Sequence, residues 1–201
     1  MTTILTSLRA TLFFMVLCGL VYPASVTLVA HLFLAKQAEG SLVRDQGGAV
    51  RGSHLIGQEF DSPSYFHSRS SSTPGPDGSG SVPYDAAFSS PSNLGPDNAQ
   101  EKKGVLGLAS HYRAENGLAP DVAVPVDAAT GSGSGLDPDI SPKNALLQAG
   151  RVAAARHYDP SAVRSLVLRH VRGPQWGFLG VARVRVLDLN LALDRKFPAK
   201  H

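Results

Sequence analysis

Cysteine is nearly absent from this chain. The one thiol among 201 residues, Cys18, lies in an apolar stretch, which excludes a disulfide framework and any cysteine-based metal site. A run of like charge is also missing. The 19 Lys and Arg and 16 Asp and Glu leave a net charge of +3 and are interspersed rather than massed into a phosphate-tracking stripe, so nucleic acid is not an expected partner. There is no P-loop, no GxSxG elbow and no HExxH pair, and the seven histidines place no ligand pair on one helix face. Neither a P-loop nucleotide site, a serine nucleophile nor a metal centre is therefore expected, and no catalytic residue is assigned.

What the chain does have begins with an uncharged run from Ala10 to Ala30, ATLFFMVLCGLVYPASVTLVA. About 21 residues at about 1.5 Å each make about 31 Å, enough to cross a hydrocarbon core of about 30 Å. The run is too long for a signal-peptide core and no A-x-A site follows it, so an uncleaved single span over 10–34 is expected. Arg9 precedes it and Lys36 and Arg44 follow, so the positive-inside count leaves its orientation open. Pro23 in mid-span predicts a kink, and Gly19, Tyr22 and Pro23 are candidates for packing against a neighbouring helix. A plain lipid anchor is the alternative.

After a leader over 1–9 and this span, a polar linker covers 35–48 and a soluble domain covers 49–201. Ala49–Phe60 has strand character. Residues 61–98 are rich in Ser, Pro, Gly, Asp and Asn, yet carry Tyr65, Phe66, Tyr84 and Phe88, which predicts a loop pinned to a surface rather than a free linker. Asp97 or Asn98 can cap a helix to Glu115, with Val105, Leu108 and Tyr112 at helical spacing. Asp121–Asp127 reads as an edge strand because of Pro125. Ser141 and Pro142 open a second helix whose apolar face is Leu146, Ala149, Val152 and Ala153. Asp159-Pro160 opens a third, stopped by Gly173-Pro174. Val181–Asp194 alternates apolar and polar residues and reads as a long strand. Helices and strands mix without a βαβ repeat, so the fold class is one N-terminal transmembrane helix followed by one α+β domain. His111, His157 and His170 are expected on exposed helix edges, Arg151, Arg156 and Arg164 on a solvated face, and Trp176 as a surface anchor for packing.

The strongest local signal is Gly131–Ser141, GSGSGLDPDIS. Its glycines permit positive φ and close backbone approach, so its amides could form an anion nest, and Asp137 and Asp139 could cap a turn or hold a cation. The competing reading is close packing of strand and helix, with Asp137 capping the turn at Pro138. An acidic pair argues against a phosphate.

Four segments together resemble the C subunit of the Kdp potassium-transporting ATPase, the KdpC family. They are the single span, GSHLIGQEF with SYFHSR (Gly52–Arg69), SNLGPDN (Ser92–Asn98), and VPVDAATGSGSGLDPDISPKNALLQAGRVAAAR (Val124–Arg156). The tail Gly177–Asp194 is a looser match. The chain departs from the family pattern at Ser70–Ser72, at Pro91, at Val181-Ala182 and at Arg185. The resemblance implies a non-catalytic subunit of a high-affinity, ATP-driven potassium uptake complex in the bacterial cytoplasmic (inner) membrane. Its partners would be a potassium-binding channel-like subunit, a P-type ATPase subunit and a small single-span subunit. The amino terminus would lie in the cytoplasm and the domain outside. The resemblance also implies a catalytic chaperone that raises the ATP affinity of the ATPase subunit, with ATP met only transiently and potassium as the transported ion. Candidate partner or ligand residues are Ser132, Gly133, Ser134, Gly135, Asp137, Asp139 and Gln148, and candidate partner contacts are Tyr65, Phe66, Arg69 and Asn93. Two alternatives remain: a membrane-anchored nucleotide-binding protein using Gly131–Asp139, and an envelope binding module docked through the Tyr65–Phe88 loop.

Overall fold

The structure, a computed structural model, describes residues 2–45, 47–75 and 80–199. They form two compact units, divided between Ser53 and His54.

The first unit is dominated by one continuous helix, Thr2–Phe33, 32 residues long and apolar enough to cross a membrane. It comprises α1 (Thr2–Val16), a π-helical turn (Leu17–Val21) and α2 (Tyr22–Phe33). The expected disturbance at Pro23 is thus a π-turn just before the proline, a known way for a helix to absorb a missing N–H. A single turn, α3 (Ala35–Ala38), follows. The polar segment beyond it contains a strand that periodicity did not reveal, β1 (Leu42–Arg44), which pairs antiparallel with β2 (Val50–Ser53). Asp45 builds the connection, since its Oδ1 accepts from the Gly47 and Ala49 amides and its Oδ2 pairs with Arg51 at 2.7 Å. The strand expected over Ala49–Phe60 therefore ends at Ser53.

The second unit is a mixed helix and sheet domain. Helix α4 (Ala99–Glu115) is capped by Asn98, whose side chain accepts from Gln100 N. The expected strand over Asp121–Asp127 is absent: Pro125 caps a one-turn helix, α5 (Val126–Ala129). Helix α6 (Pro142–Arg156) starts at Ser141, whose hydroxyl accepts from Asn144 N, and ends on His157 in the left-handed conformation. Helix α7 (Pro160–His170) is capped by Asp159. Three short antiparallel strands form a sheet of order β3-β5-β4, from Asp139–Ile140, Arg183–Arg185 and Val171–Arg172, with Val184 facing Ile140 on one side and Val171 on the other.

The long strand expected over Val181–Asp194 is three residues of β5 followed at once by helix α8 (Val186–Lys196). Its alternating letters suit either period. Packing chose the helix, because Val186, Leu189, Asn190 and Leu193 are buried at the three- and four-residue spacing of one helical face. That face joins Ala149, Val152, Ala153, Val163, Leu166 and Val167 of α6 and α7 in the core.

Candidate docking site

Residues 61–75 and 80–98 carry no helix or strand, yet one stretch is held as firmly as a sheet strand; residues 76–79 of that loop lie outside the described residues. The stretch is Ser64–Arg69. Asn190 of α8 accepts from Phe66 N and donates to Phe66 O, both at 2.9 Å. Gln148 of α6 does the same for the next residue, accepting from His67 N at 2.7 Å and donating to His67 O at 3.1 Å. Arg156 donates to Ser64 O at 2.7 Å, and Arg151 to Pro63 O at 2.7 Å and Tyr65 O at 3.0 Å. Buried amide side chains thus complete the main-chain pairing that a neighbouring strand would otherwise supply.

These contacts revise two expectations. Arg151 and Arg156 do not form a solvated face. Arg156 is 0% exposed, with its remaining donors on Phe197 O and Asp194, and only Arg164 of the three is exposed. Phe66, a candidate partner contact, is also 0% exposed and belongs to the core. Gln148 is buried and clamps His67. Tyr65 is half-buried, with its ring under the Arg156 guanidinium and its hydroxyl on Asp194.

Beside this stretch lies a cleft of about 280 Å³, lined by Phe60, Arg69, Tyr84, His111, Tyr112 and Glu115 among others. At its edge His67 Nδ1 stands 2.7 Å from Glu115 Oε1. Its floor is a closed polar chain. Tyr112 donates to Asn144 Oδ1 at 2.9 Å, Gln148 donates to the same oxygen at 2.8 Å, and Asn144 donates to Asp127 at 3.0 Å. Asp127 also accepts from the Ser141 amide and hydroxyl, so it is a second cap on α6 that sequence spacing gave no sign of. Burial pushes the Tyr84 hydroxyl up to about 12 and raises Tyr112 as well, with Asp127 adding to the effect.

Folding therefore keeps these phenols neutral. The contribution of Tyr84 is complete below the ordinary tyrosine pKa of about 10 and is lost as pH climbs from there towards about 12. The full chain is expected to lose stability of order 2–3 kcal/mol through Tyr84 across that window. Tyr84→Phe should flatten the alkaline fall while costing about 1 kcal/mol at neutral pH for the bond from its hydroxyl to Arg69 O. Tyrosinate absorbance and unfolding midpoints across the alkaline range check both.

The Gly131–Ser141 loop also meets Arg69, which pairs with Asp137 at 2.9 Å and donates to Gly131 O at 2.9 Å. Ser132 N donates to Ser70 O, Ser134 Oγ accepts from Leu136 N, and Asp137 Oδ1 accepts from Asp139 N across Pro138. Asp139 meets Arg183 at 3.1 Å and Arg185 at 3.6 Å. Burial nevertheless raises its pKa, outweighing the pull of those two arginines. Gly135, at φ +72°, is packed against Thr73 and Ser90. Ser132 and Gly135 are buried, whereas Gly133, Ser134 and Asn93 are exposed. The loop is thus a packed junction in which both carboxylates already have cationic partners.

One exposed feature was not foreseen. Trp176, read as a surface anchor for packing, does lie on the surface but is 77% exposed, and Phe178, Leu179 and Val181 are exposed at 73%, 44% and 76% on the same β4–β5 connection. Leu168, near the end of α7, is a fifth bare apolar side chain. The signal was in the letters QWGFLGV: four large apolar residues among turn-forming glycines, where no core face can gather them.

Comparison with known proteins covers nearly the whole chain. A family model described as KdpC, K+-transporting ATPase, c chain, matches residues 4–195. The chain belongs to the KdpC family. It is 51% identical over 185 residues to the potassium-transporting ATPase KdpC subunit of Caulobacter vibrioides, covering 92% of this chain and 89% of that one. It is 50% identical over 192 residues to the KdpC subunit of Mycobacterium tuberculosis, covering 96% and 97%. In this KdpC chain the positions read as departures from the family pattern have varied surroundings. Ser70 O holds Ser132 N, Ser71 Oγ accepts from Tyr84 N, and Arg185 pairs with Asp139, while Pro91 and Val181 are exposed.

Proposed function

We propose that this chain is the non-catalytic accessory subunit of an ATP-driven potassium uptake complex, needed for its assembly and activity. The observation that carries this reading is identity of about half over nearly the whole chain to potassium-transporting ATPase KdpC subunits. Its partners are a potassium-binding channel-like subunit, a P-type ATPase subunit and a small single-span subunit, and potassium is the cargo. Helix Thr2–Phe33 spans the bacterial inner membrane with the amino terminus in the cytoplasm and the domain outside. The chain acts as a catalytic chaperone that raises the ATP affinity of the ATPase subunit. From across about 30 Å of bilayer, that effect travels as a biased conformational equilibrium rather than by contact with nucleotide. Two further features support this reading. The two carboxylates of the Gly131–Asp139 loop, Asp137 and Asp139, are paired with arginines of their own chain, and the bare apolar residues Trp176, Phe178 and Val181 suit a partner surface better than a small ligand. Asn93, Gly133 and Ser134 are exposed positions for further partner contact.

Removing the chain from the complex is expected to abolish potassium-stimulated ATP hydrolysis, while the purified chain alone hydrolyses nothing. Normal pumping by the remaining subunits would overturn the reading. A reporter fused after His201 is expected to be active outside the cytoplasm; a cytoplasmic signal would reverse the topology. The double variant Trp176→Ser, Phe178→Ser should leave stability within about 0.5 kcal/mol, as for exposed positions generally, yet lower recovery of the chain with its partner subunits in detergent.

A further inference from the structure

The π-helical turn in the span has a consequence for assembly, given the reading of the chain as a membrane subunit. A helix offers the carbonyl of residue 18 two donors, the N–H groups four and five residues on. Tyr22 N–H is committed to Leu17 O, and Pro23 has no N–H. Ser25 Oγ, two turns on, is bonded to Val21 O at 2.7 Å. The Cys18 carbonyl therefore has no donor from its own helix. It sits about 13 Å along the axis from Arg9, close to the middle of a hydrocarbon core about 30 Å thick. Water does not reach that depth, and a bare acceptor there is costly. Beside it, the position a side chain would take at Gly19 meets nothing within 4 Å, and the helix buries none of its own side chains.

We propose that Leu17–Val21 is a docking notch for a transmembrane helix of a partner subunit, one that presents a hydroxyl or amide donor to the Cys18 carbonyl. Charge complementarity selects this occupant. The notch offers only a partial negative charge and bare backbone, which a polar side chain on a closely packed helix can meet and lipid tails cannot. A purely apolar neighbour would leave the carbonyl as costly as lipid does. Gly19 permits the close approach, and Pro23 creates the vacancy.

Because Cys18 is the only cysteine, growth on cysteine carrying carbonyl carbon-13 labels this one peptide carbonyl. The labelled full chain, purified and then assembled with unlabelled partner subunits, is read by infrared spectroscopy. The expected result is a shift of the labelled amide band to lower frequency on assembly. In Pro23→Ala, which restores an N–H, the band should lie low with or without partners. Gly19→Leu should bind the partners about three- to tenfold more weakly, the effect of one interhelical hydrogen bond in a membrane. An unshifted band in an assembled complex would overturn the notch and leave the subunit reading intact. A band already low in the isolated chain would overturn it too, since water or a second copy would then supply the donor. Failure of the chain to assemble at all would overturn the subunit reading, and the notch with it.

Discussion

Arg156→Ala is expected to destabilise the folded domain by about 3–5 kcal/mol. Against a typical total of about 5–15 kcal/mol, that is enough to leave a large unfolded fraction at growth temperature. The reason is the number of groups one guanidinium serves. Its Nε holds Ser64 O at 2.7 Å, Nη1 holds Phe197 O at 2.8 Å, Nη2 holds Asp194 at 2.7 Å, and the plane stacks 4.7 Å over the Tyr65 ring. Removing it leaves two main-chain carbonyls and a phenol face without their partner and opens a cavity between α6 and α8.

A hydrophobic isostere does not rescue the site. Where a buried ion pair is replaced as a pair, apolar substitutes are often neutral. Here two of the acceptors are backbone carbonyls that no substitution removes, so Arg156→Met should cost nearly as much as alanine. Arg156→Lys keeps the charge but offers one ammonium to a three-way fork and should recover less than half of the loss. Asp194→Asn is the mild control, at about 1 kcal/mol, because its carboxylate is 43% exposed. Thermal melting of the full chain in detergent, followed by near-ultraviolet circular dichroism, orders the four variants. A ranking with Asp194→Asn worst would refute the account.

The same arginine shows where sequence reasoning stops. Helix starts were readable because a cap is a local event: Asn98, Ser141-Pro142 and Asp159-Pro160 each close their own first turn. The apolar face of α6 was readable from its spacing. The roles of Arg156, Gln148 and Asn190 were not, because each serves a backbone segment at least 80 positions away. On a helix drawn from sequence alone, a polar residue is assigned to solvent. Only the fold shows that the Ser64–Arg69 stretch needs donors and acceptors from outside itself. Val186–Asp194 misled for a related reason: leucines at every second position suit a strand, and the choice falls to burial of Val186, Asn190 and Leu193 together. The candidate loop was found by its composition; within it Gly135 is packed against Thr73 and Ser90 and Asp137 caps the turn at Pro138, while Gly133 is exposed.

Gly135→Val is expected to cost about 2–5 kcal/mol, the sum of a left-handed backbone penalty of about 1–2 and overpacking of about 1–3. At φ +72° an added Cβ stands 2.6 Å from Thr73 Cγ2 and 2.8 Å from Ser90 O. Thr73 cannot step aside, since it is fully buried and its hydroxyl bridges Val82 O and Asp85 N. Ser134→Val, one residue earlier, is exposed and loses a hydroxyl that accepts from Leu136 N at 3.1 Å, so about 1 kcal/mol is expected. The contrast separates two uses of the same motif. A phosphate cradle would lose nucleotide binding in both variants while the fold tolerated them. A packed junction loses stability steeply at Gly135 and slightly at Ser134, with no ATP binding to lose in either. Melting curves with and without ATP on the full chain decide it, and a saturable ATP-dependent rise in the midpoint, abolished by Ser134→Val, would restore the ligand loop.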